Sequence, residues 1–262
     1  MADERVAVVT GASAGIGEAT ARELARRGWH CVLLARRQER IEALASEIRG
    51  EWEVCDVMDR AQVDDVAARV LARHPRIELL VNNAGVPGRG TFVSVEPDTV
   101  ERVLRTNYLG GVWCARAFLP GLRAAAENGG SAHIVNVVSV AGTIAFAPAG
   151  PYAAAKHAQL AFSRSLAATL RRERIYVHSV LPGFVETEGF TPRSTLKNPL
   201  MRRFVIEADA VAKTIVKAVE RNRREVTIPW FPYRLVSIAQ ALVPGVVAQL
   251  GGRFGYHPWV QD

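Results

Sequence analysis

Short apolar runs alternate with longer amphipathic segments along most of the chain. These runs occupy residues 6–9, 30–35, 52–55, 77–81, 132–138, 174–181 and 225–228. Strands with apolar residues on both faces are typical of a parallel sheet that helices cover on both sides. The alternation therefore predicts an α/β fold with a doubly wound parallel sheet in three αβα layers.

The first run leads into a glycine-rich turn, residues 10–17 with the sequence TGASAGIG, and then into a predicted helix that ends at Gly28. Glycines in such a turn let backbone N–H groups at a helix N-terminus approach a pyrophosphate without a Cβ in the way. The spacing differs from the commonest dinucleotide fingerprint, so glycines that serve only a tight turn are the alternative. The strand, turn and helix context favours a dinucleotide-binding sheet of the Rossmann fold.

Two arginines, Arg36 and Arg37, follow the second predicted strand. In a dinucleotide fold this strand end meets the adenosine ribose, where an acidic residue suits a free 2′-hydroxyl and an arginine suits a 2′-phosphate. Guanidinium groups pair with phosphate through charge-assisted hydrogen bonds. The sequence therefore favours NADP over NAD, chiefly through Arg36. A solvated arginine that opens a helix is the alternative, and it carries real weight for Arg37.

Tyr152 and Lys156 are four residues apart in a run with strong helix propensity, which predicts that they share a helix face. A free tyrosine titrates near pH ~10, and a nearby positive charge stabilises its phenolate. Lys156 would supply that charge and prepare Tyr152 as a general acid/base toward a carbonyl or alcohol oxygen. An exposed tyrosine and lysine on an ordinary helix are the alternative for the pair alone.

Asn107 lies inside a long predicted helix, residues 99–125, in an otherwise apolar segment. A buried asparagine is unfavourable unless its amide is hydrogen-bonded. We expect Asn107 to hold a water or a kink, with a purely structural amide as an equal alternative.

Taken together, these motifs resemble the short-chain dehydrogenases/reductases. The resemblance extends from residue 6 to about residue 228 and depends on the turn at 10–17, the NNAG run at 82–85, Ser139, Tyr152 with Lys156, and the pair Pro182 and Gly183. It implies an active site of four residues, Asn107, Ser139, Tyr152 and Lys156. In that site Tyr152 would exchange a proton with the substrate oxygen and Ser139 would donate a hydrogen bond to it. Lys156 would lower the pKa of Tyr152 and hold the nicotinamide ribose, and Asn107 would order a water in the proton relay.

The resemblance also implies a set of NADP(H) contacts. Gly11, Ser13, Gly15, Ile16 and Gly17 would surround the pyrophosphate and ribose, and Arg36 and Arg37 the 2′-phosphate. Asp56 and Val57 would meet the adenine, while Asn82, Ala84, Gly85, Tyr152 and Lys156 would line the path to the nicotinamide ribose. Pro182, Gly183, Val185 and Thr187 would lie at the nicotinamide, with Val185 and Thr187 binding its carboxamide. One departure is Ala14, at a position where NADP-using members often carry a basic residue.

Residues 187–207 mix helix breakers with apolar side chains just past the nicotinamide motif. We expect a substrate lid with an apolar underside, a plain surface loop being the alternative. The predicted substrate pocket consists of Phe146, Phe184, Phe190, Leu200, Met201 and Phe204, with Ala147 beside them. These side chains suit a bulky apolar carbonyl compound.

Residues 230–252 form a strongly apolar C-terminal segment that Arg234, Gln240 and the pair Pro244 and Gly245 interrupt too often for a membrane span. A subunit interface is the favoured interpretation, in a homo-oligomer of two or four copies. A cover over the substrate pocket and peripheral contact with a membrane are the alternatives.

The chain has 262 residues, 49% of them hydrophobic, and no linker or low-complexity segment divides it. We expect a single domain over residues 1–262. The first residues lack the basic start and apolar core of a signal peptide, which predicts a cytoplasmic protein. Cys31, Cys55 and Cys114 form no C-x-x-C pair, so reduced thiols are expected.

The six histidines show no metal-ligand spacing, and the sequence predicts no metal. The formal net charge is +7, mostly from short arginine clusters near predicted helix ends. Cations there complement the helix dipole, so we expect solvated arginines and no nucleic-acid partner.

The sequence as a whole predicts an NADP-dependent oxidoreductase that interconverts a carbonyl compound and its alcohol by hydride transfer, with Tyr152 as the general acid/base. A 3-oxoacyl-thioester reductase is the competing enzyme hypothesis, because a basic surface would meet an acidic acyl carrier. A non-enzymatic alternative is a sensor that binds NADP without catalysing a reaction. The intact Ser139, Tyr152 and Lys156 argue against the sensor, which needs no acid/base pair.

Overall fold

The computed structural model describes residues 5–88, 90, 94–145, 150–188, 190, 192 and 199–247, but not the side chains of Leu200 and Met201. Part of the predicted substrate pocket, Phe146 and Ala147 with the Leu200 and Met201 side chains, lies outside the described residues. The same holds for much of the predicted lid and for residues 248–252 of the C-terminal segment.

Strands and helices alternate as the sequence predicts. The first half contains β1 (Arg5–Thr10), α1 (Gly15–Ala25), β2 (Trp29–Ala35), α2 (Gln38–Ile48), β3 (Glu51–Val54), α3 (Arg60–Arg73), β4 (Leu79–Asn82), α4 (Pro97–Leu104), a π-helical turn (Arg105–Leu109), α5 (Gly110–Ala117) and α6 (Leu119–Ala126). The second half contains β5 (Ala132–Val137), α7 (Gly150–Leu170), β6 (Ile175–Pro182), β7 (Val185–Glu186), α8 (Pro199–Arg202), β8 (Ile206–Glu207), α9 (Ala208–Glu220), β9 (Glu225–Ile228) and α10 (Tyr233–Leu242).

Seven strands form one sheet in the order β3-β2-β1-β4-β5-β6-β9, and all neighbours are parallel. Strand β1 shows why its sequence is apolar throughout: Val8 packs into the core on one face of the sheet, and Ala7 and Val9 pack into the core on the other. The first core includes residues of α3, α5 and α6, and the second includes residues of α1, α2 and α9. The predicted doubly wound Rossmann sheet in three layers is confirmed.

The reversal of strand order places β1 next to both β2 and β4. The connections that follow the strands on the two sides of this point run in opposite directions, which leaves a crevice beyond the carboxyl ends of the strands. One boundary differs from the prediction. Strand β4 begins at Leu79 and not at residue 77, because the Ile77 N–H donates to Gly121 O, 3.1 Å away, on α6.

The predicted helix over 99–125 is present but not uniform. A π-helical turn, Arg105–Leu109, widens it around Asn107, and the helix breaks again at Phe118 before Pro120. An inserted residue in a helix marks a local constraint, often at a functional site. Phe118 is fully buried, so the second break docks a large side chain in the core.

A small second sheet bounds the predicted lid: β7 directly precedes it, β8 ends it, and the two strands pair in parallel through Val185 and Ile206. The C-terminal helix α10 packs one face inward, with Tyr233 and Ser237 buried. Its Ser237 hydroxyl lies 2.7 Å from the hydroxyl of Thr143, which follows a short helical turn after β5. Within the described residues, no helix reaches the length and apolarity needed to cross a bilayer.

Candidate active site

A cleft of about 530 Å³ opens at the carboxyl ends of β1, β2 and β4. Most of the residues predicted to surround the adenosine and pyrophosphate line it: Gly11, Ser13, Gly15, Ile16, Arg36, Arg37 and Val57. Of the residues predicted to lie toward the nicotinamide, Ala84, Gly85 and Thr187 line it as well. Ala35, Asn83, Thr106 and Glu188 are among the lining residues to which the sequence assigned no contact. The cleft therefore has the position that the fold gives to a dinucleotide.

The glycine turn fits a pyrophosphate because it keeps side chains away from the backbone. Gly11 and Gly15 have φ of 65° and 58°, a region that favours glycine. A Cβ on Gly17 would collide with the carbonyl oxygen of Gly11. Ala14 precedes α1 and supplies no side-chain cap, so no side chain of the N-cap competes for the N–H groups at the start of this helix. These groups and the helix dipole form an anion site.

Thr10 and Asn83 hold the turn in place. The Thr10 hydroxyl accepts hydrogen bonds from the Asn83 and Ala84 N–H groups, both at 3.0 Å. The Asn83 side chain donates to Thr10 O and Gly11 O, at 3.0 Å and 3.2 Å. Asn83 is thus a site residue that sequence reasoning missed, although it stands in the NNAG run that was singled out.

Asn82 lies elsewhere than predicted. Its side chain is buried and donates to Gly111 O at 3.2 Å and to Asn136 Oδ1 at 3.0 Å. Asn136 continues this buried chain to Ser163 and Ser179. Successive residues of a strand point to opposite faces, which turns Asn82 toward the α5 side and away from the cleft.

The two arginines reach the adenosine end of the cleft in different ways. Arg36 is mostly exposed and lies 3.6 Å from Asp56, its Nη1 facing Oδ2. Arg37 donates from Nε to Ser13 Oγ and from Nη2 to Ser13 O, both at 3.2 Å. Its Nη1 also lies 3.5 Å from Glu188 Oε1. Arg37 is therefore tied to the glycine turn, which argues against the alternative of a merely solvated arginine.

Helix α7 places Tyr152 and Lys156 on one face, as predicted. The Lys156 Nζ lies 5.7 Å from the centre of the Tyr152 ring. The ammonium is buried and donates to Val137 O at 2.9 Å and to Gln159 Oε1 at 2.8 Å. Because burial disfavours its charged form, the pKa of Lys156 falls to about 7.

Ser139, at the end of β5, lies beside Tyr152. Its hydroxyl accepts from the Ala141 N–H at 3.1 Å and donates to Pro182 O at 3.4 Å. Burial raises the pKa of Tyr152, and a hydrogen bond with Ser139 opposes this rise. The expectation that Lys156 lowers the pKa of Tyr152 stays a prediction. Desolvation of the phenol dominates, while the ammonium is directed to Val137 and Gln159.

Asn107 is fully buried in the π-helical turn, and the protein itself satisfies its amide. The Val86 N–H donates to Oδ1 at 2.7 Å, and Nδ2 donates to Val86 O at 2.9 Å. A Cβ on Gly85 would lie 2.9 Å from the same Oδ1. The π-helical turn is the irregularity expected at Asn107, and the amide ties it to the loop after β4. The water relay stays a prediction.

The residues predicted to lie at the nicotinamide follow strand β6 or end it, and most of them pack against neighbouring elements. Pro182 ends β6 and receives the Ser139 hydrogen bond, and Val185 is buried in the core of the α9 side. The Gly183 N–H donates to Ile228 O at 2.8 Å, and a Cβ there would collide with the Tyr233 ring. Of the residues after β6, Thr187 lines the cleft.

Phe184 and aromatic side chains of the predicted lid and the C-terminal segment lie near this end of the sheet. The ring centres of Phe184 lie 6.0 Å from Phe190 and 6.3 Å from Tyr233, and Phe204 lies 5.8 Å from Phe231. Phe184 and Phe204 also pack against the same buried cluster, which includes Tyr233, so the described members of the predicted substrate pocket lie together. Tyr233 and Phe231 were not predicted to join them, although they belong to the apolar segment.

The fold and the site define a dinucleotide-dependent oxidoreductase, and comparisons with known proteins identify its family. The family model described as short chain dehydrogenase matches residues 5–197. The chain is 37% identical over 187 residues to a candidate ketoacyl reductase of the granaticin polyketide synthase from Streptomyces violaceoruber, covering 70% of this chain and 68% of the relative.

Two solved structures share the fold. A variant of actinorhodin polyketide ketoreductase, crystallised with NADPH, is 26% identical with a TM-score of 0.77 and covers 86% of this chain and 96% of its own. An alcohol dehydrogenase from the archaeon Thermococcus sibiricus, complexed with 5-hydroxy-NADP, is 26% identical with a TM-score of 0.73 and covers 86% of this chain and 95% of its own.

This chain belongs to the short-chain dehydrogenase/reductase family. It is an oxidoreductase that interconverts carbonyl and alcohol groups with a nicotinamide cofactor, as the sequence predicts.

Proposed function

We propose that this enzyme reduces the carbonyl group of a bulky, apolar ketone or aldehyde to the alcohol, with NADPH as its cofactor. The observation that carries this proposal is the half-buried phenol of Tyr152. It is hydrogen-bonded to Ser139, and burial raises its pKa. A phenol that keeps its proton at neutral pH is suited to give it to a carbonyl oxygen that is gaining negative charge. The bound cofactor supplies the hydride for the carbonyl carbon.

The residues of this chain supply the proton and the polar contacts. Ser139 donates a hydrogen bond to the substrate oxygen and positions it, and Tyr152 transfers its phenolic proton to that oxygen. The negative charge left on Tyr152 is stabilised by the Lys156 ammonium on the same helix face. Asn107 fixes the loop after β4 through Val86, which positions Ala84 and Gly85 along the cleft.

NADP is the proposed cofactor because the adenosine end of the cleft is basic. Arg36 and Arg37 line it, and guanidinium groups suit the 2′-phosphate. Both solved neighbours contain an NADP-type cofactor. Arg37 forms an ion pair with Glu188, at the start of the lid segment. A bound 2′-phosphate would replace Glu188 as the partner of this arginine.

The aromatic cluster of Phe184, Phe190, Phe204, Phe231 and Tyr233 supports a bulky apolar substrate. The test is NADPH consumption with a panel of carbonyl compounds from small ketones to bulky apolar ones, with NADH in parallel. We expect kcat/KM to increase with apolar bulk and to be higher with NADPH. Equal turnover of small and bulky ketones would contradict the substrate class.

A 3-oxoacyl thioester is the second candidate substrate, since the granaticin relative is a candidate ketoacyl reductase. The net charge of +7 would favour docking of an acidic carrier protein. For this substrate the KM of the carrier-bound thioester would increase with salt, while that of the free thioester would not. A salt-independent KM for both forms would exclude carrier docking.

We also propose that the chain acts as one domain in the cytoplasm and assembles with further copies of itself through the outer face of α10. Cys31, Cys55 and Cys114 are free and buried, which suits a reducing compartment.

Leu235, Ile238 and Leu242 of α10 are exposed. Membrane-surface helices are rich in basic residues, and the only charge in α10, Arg234, is paired with Glu225 at 3.0 Å. This pairing favours a protein partner over a lipid surface.

A further inference from the structure

Two histidines and a glutamate meet at the edge of the sheet opposite the cofactor cleft. His30 lies near the start of β2, Glu51 is the first residue of β3, and His74 directly follows α3. His30 Nε2 lies 3.2 Å and His74 Nε2 lies 2.8 Å from the same oxygen, Glu51 Oε1. In the part of the chain that the structure describes, these three form the one group of metal-ligating side chains, with ligand atoms all within 4.8 Å of one another.

The parallel register brings these residues together from distant positions in the sequence. Glu51 is the register partner of Val32, which follows His30 by two residues on the same face of β2. Helix α3 returns antiparallel to the strands and ends with its last turn beside the start of β3. Five residues of strand separate His30 from the cleft end of β2, a span of about 17 Å. The cluster therefore has no part in hydride transfer.

We propose that His30, Glu51 and His74 bind a divalent cation of the zinc class. Zinc accepts imidazole nitrogens at about 2.0–2.1 Å and carboxylate oxygens at about 2.0–2.2 Å in tetrahedral geometry, which separates neighbouring ligand atoms by about 3.3–3.5 Å. The distances from Glu51 Oε1 to the two imidazole nitrogens are already close to this spacing. A small opening of the contact between Glu51 and His74 admits the ion, and a water completes its coordination.

Arg73 prepares the carboxylate for this function. Its Nε donates to Glu51 Oε2 at 2.9 Å, and its Nη2 lies 2.9 Å from Glu53 Oε1. The guanidinium fixes one oxygen of Glu51 and leaves the other turned toward both histidines, as a second layer of residues does around metal ligands. The imidazoles of His30 and His74 are 14% and 18% exposed, so the ion is shielded but has a path from solvent.

The bound ion joins three elements at the edge of the sheet. Strand β3 is the outermost strand on this side and pairs with β2 alone. A cation shared by β2, β3 and the end of α3 would tie the edge strand to its neighbours and stabilise the folded state by RT ln(1 + c/Kd), where c is the free ion concentration. The site is structural, and its existence is independent of the proposed reductase activity.

The test adds one equivalent of Zn²⁺ or Co²⁺ to chelator-treated protein. We expect one bound Zn²⁺ per chain by calorimetry, an increase in Tm of a few degrees, and with Co²⁺ the visible absorption of tetrahedral cobalt. His74→Gln and Glu51→Gln, each checked for folding by circular dichroism, should weaken Zn²⁺ binding by about tenfold or more. The control is His157→Gln, which removes an exposed histidine on α7 and should bind Zn²⁺ as the wild type does.

Two results would overturn the proposal. The first is folded wild-type protein that binds no Zn²⁺ and shows no cobalt absorption, which would make the cluster a hydrogen-bonded group only. The second is Zn²⁺ binding that both variants retain, which would place the ion elsewhere. NADPH binding, measured in the same samples, reports on the cofactor cleft separately and should not change with Zn²⁺.

Discussion

The Lys156 Nζ lies 5.7 Å from the centre of the Tyr152 ring and donates hydrogen bonds to Val137 O and Gln159 Oε1. Burial raises the pKa of Tyr152 and lowers that of Lys156 to about 7. The phenol therefore keeps its proton at neutral pH, and the buried lysine is poised to change its charge there. Both properties suit proton donation to a carbonyl oxygen.

The buried Lys156 should make stability depend on pH in a defined direction. Its pKa is about 7 in the folded chain against an ordinary 10.5, so the unfolded state binds more protons between these values. The stability of the wild type relative to Lys156→Met should therefore increase as pH rises through this window, by at most about 1.4 kcal/mol per pH unit. Urea unfolding of both proteins across the window measures it. A constant difference would show that Lys156 titrates normally.

Arg36 should determine cofactor choice. Charge-assisted hydrogen bonds are worth about 1.5–3 kcal/mol, so Arg36→Ala should lower kcat/KM for NADPH by roughly 10- to 100-fold. The value for NADH should hardly change, because NADH lacks the 2′-phosphate. Arg123→Ala is the control, since Arg123 is exposed and paired with Glu173 away from the cleft. Equal losses with both cofactors would refute a specific contact with the 2′-phosphate.

Gly17 should tolerate no side chain. Its Cβ would overlap the Gly11 carbonyl oxygen in the turn that faces the pyrophosphate, so Gly17→Ala should weaken NADPH binding and destabilise the fold by about 1–3 kcal/mol. Fluorescence titration with NADPH and thermal unfolding measure the two effects. Gly245→Ala is the control, because a Cβ there meets nothing within 4 Å. Unchanged NADPH affinity in Gly17→Ala would contradict the role of the turn.

The outer face of α10 should hold copies of the chain together. Leu242 is 75% exposed and Ile238 is 43% exposed. Replacing both by glutamate should lower the mass in light scattering to that of a monomer, because burial of the two new charges in an interface is unfavourable. Gln240→Glu adds charge on the same helix as a control. A monomeric wild type that floats with anionic vesicles would instead support membrane contact.

The fold was predictable because its signals are local. Strand β9 agrees with the predicted range 225–228, and β2 begins one residue before the predicted range 30–35, because each strand is a clear apolar run. The π-helical turn was not predictable in form, since it depends on hydrogen bonds between Asn107 and Val86, 21 residues earlier. A sequence pattern shows that Asn107 is unusual but not which backbone groups satisfy it.

The sequence predicts which residues lie at the strand ends that form the site. It predicts less well which of these side chains point into the cleft. Asn82 and Asn83 are adjacent, and the direction of each side chain depends on where β4 ends. The cluster of His30, Glu51 and His74 has no spacing in the sequence that predicts it, because the parallel register of β2 and β3 and the end of α3 create it.

The most direct test of the central claim is ketone reduction by Tyr152→Phe with NADPH. A general acid contributes roughly 10²- to 10⁴-fold, so kcat should fall by that factor while NADPH affinity, measured by fluorescence, stays near the wild-type value. The phenyl ring keeps the packing of Tyr152 and removes only the hydroxyl. A variant that binds NADPH and reduces the ketone within about tenfold of the wild-type rate would contradict the assignment of Tyr152 as the proton donor.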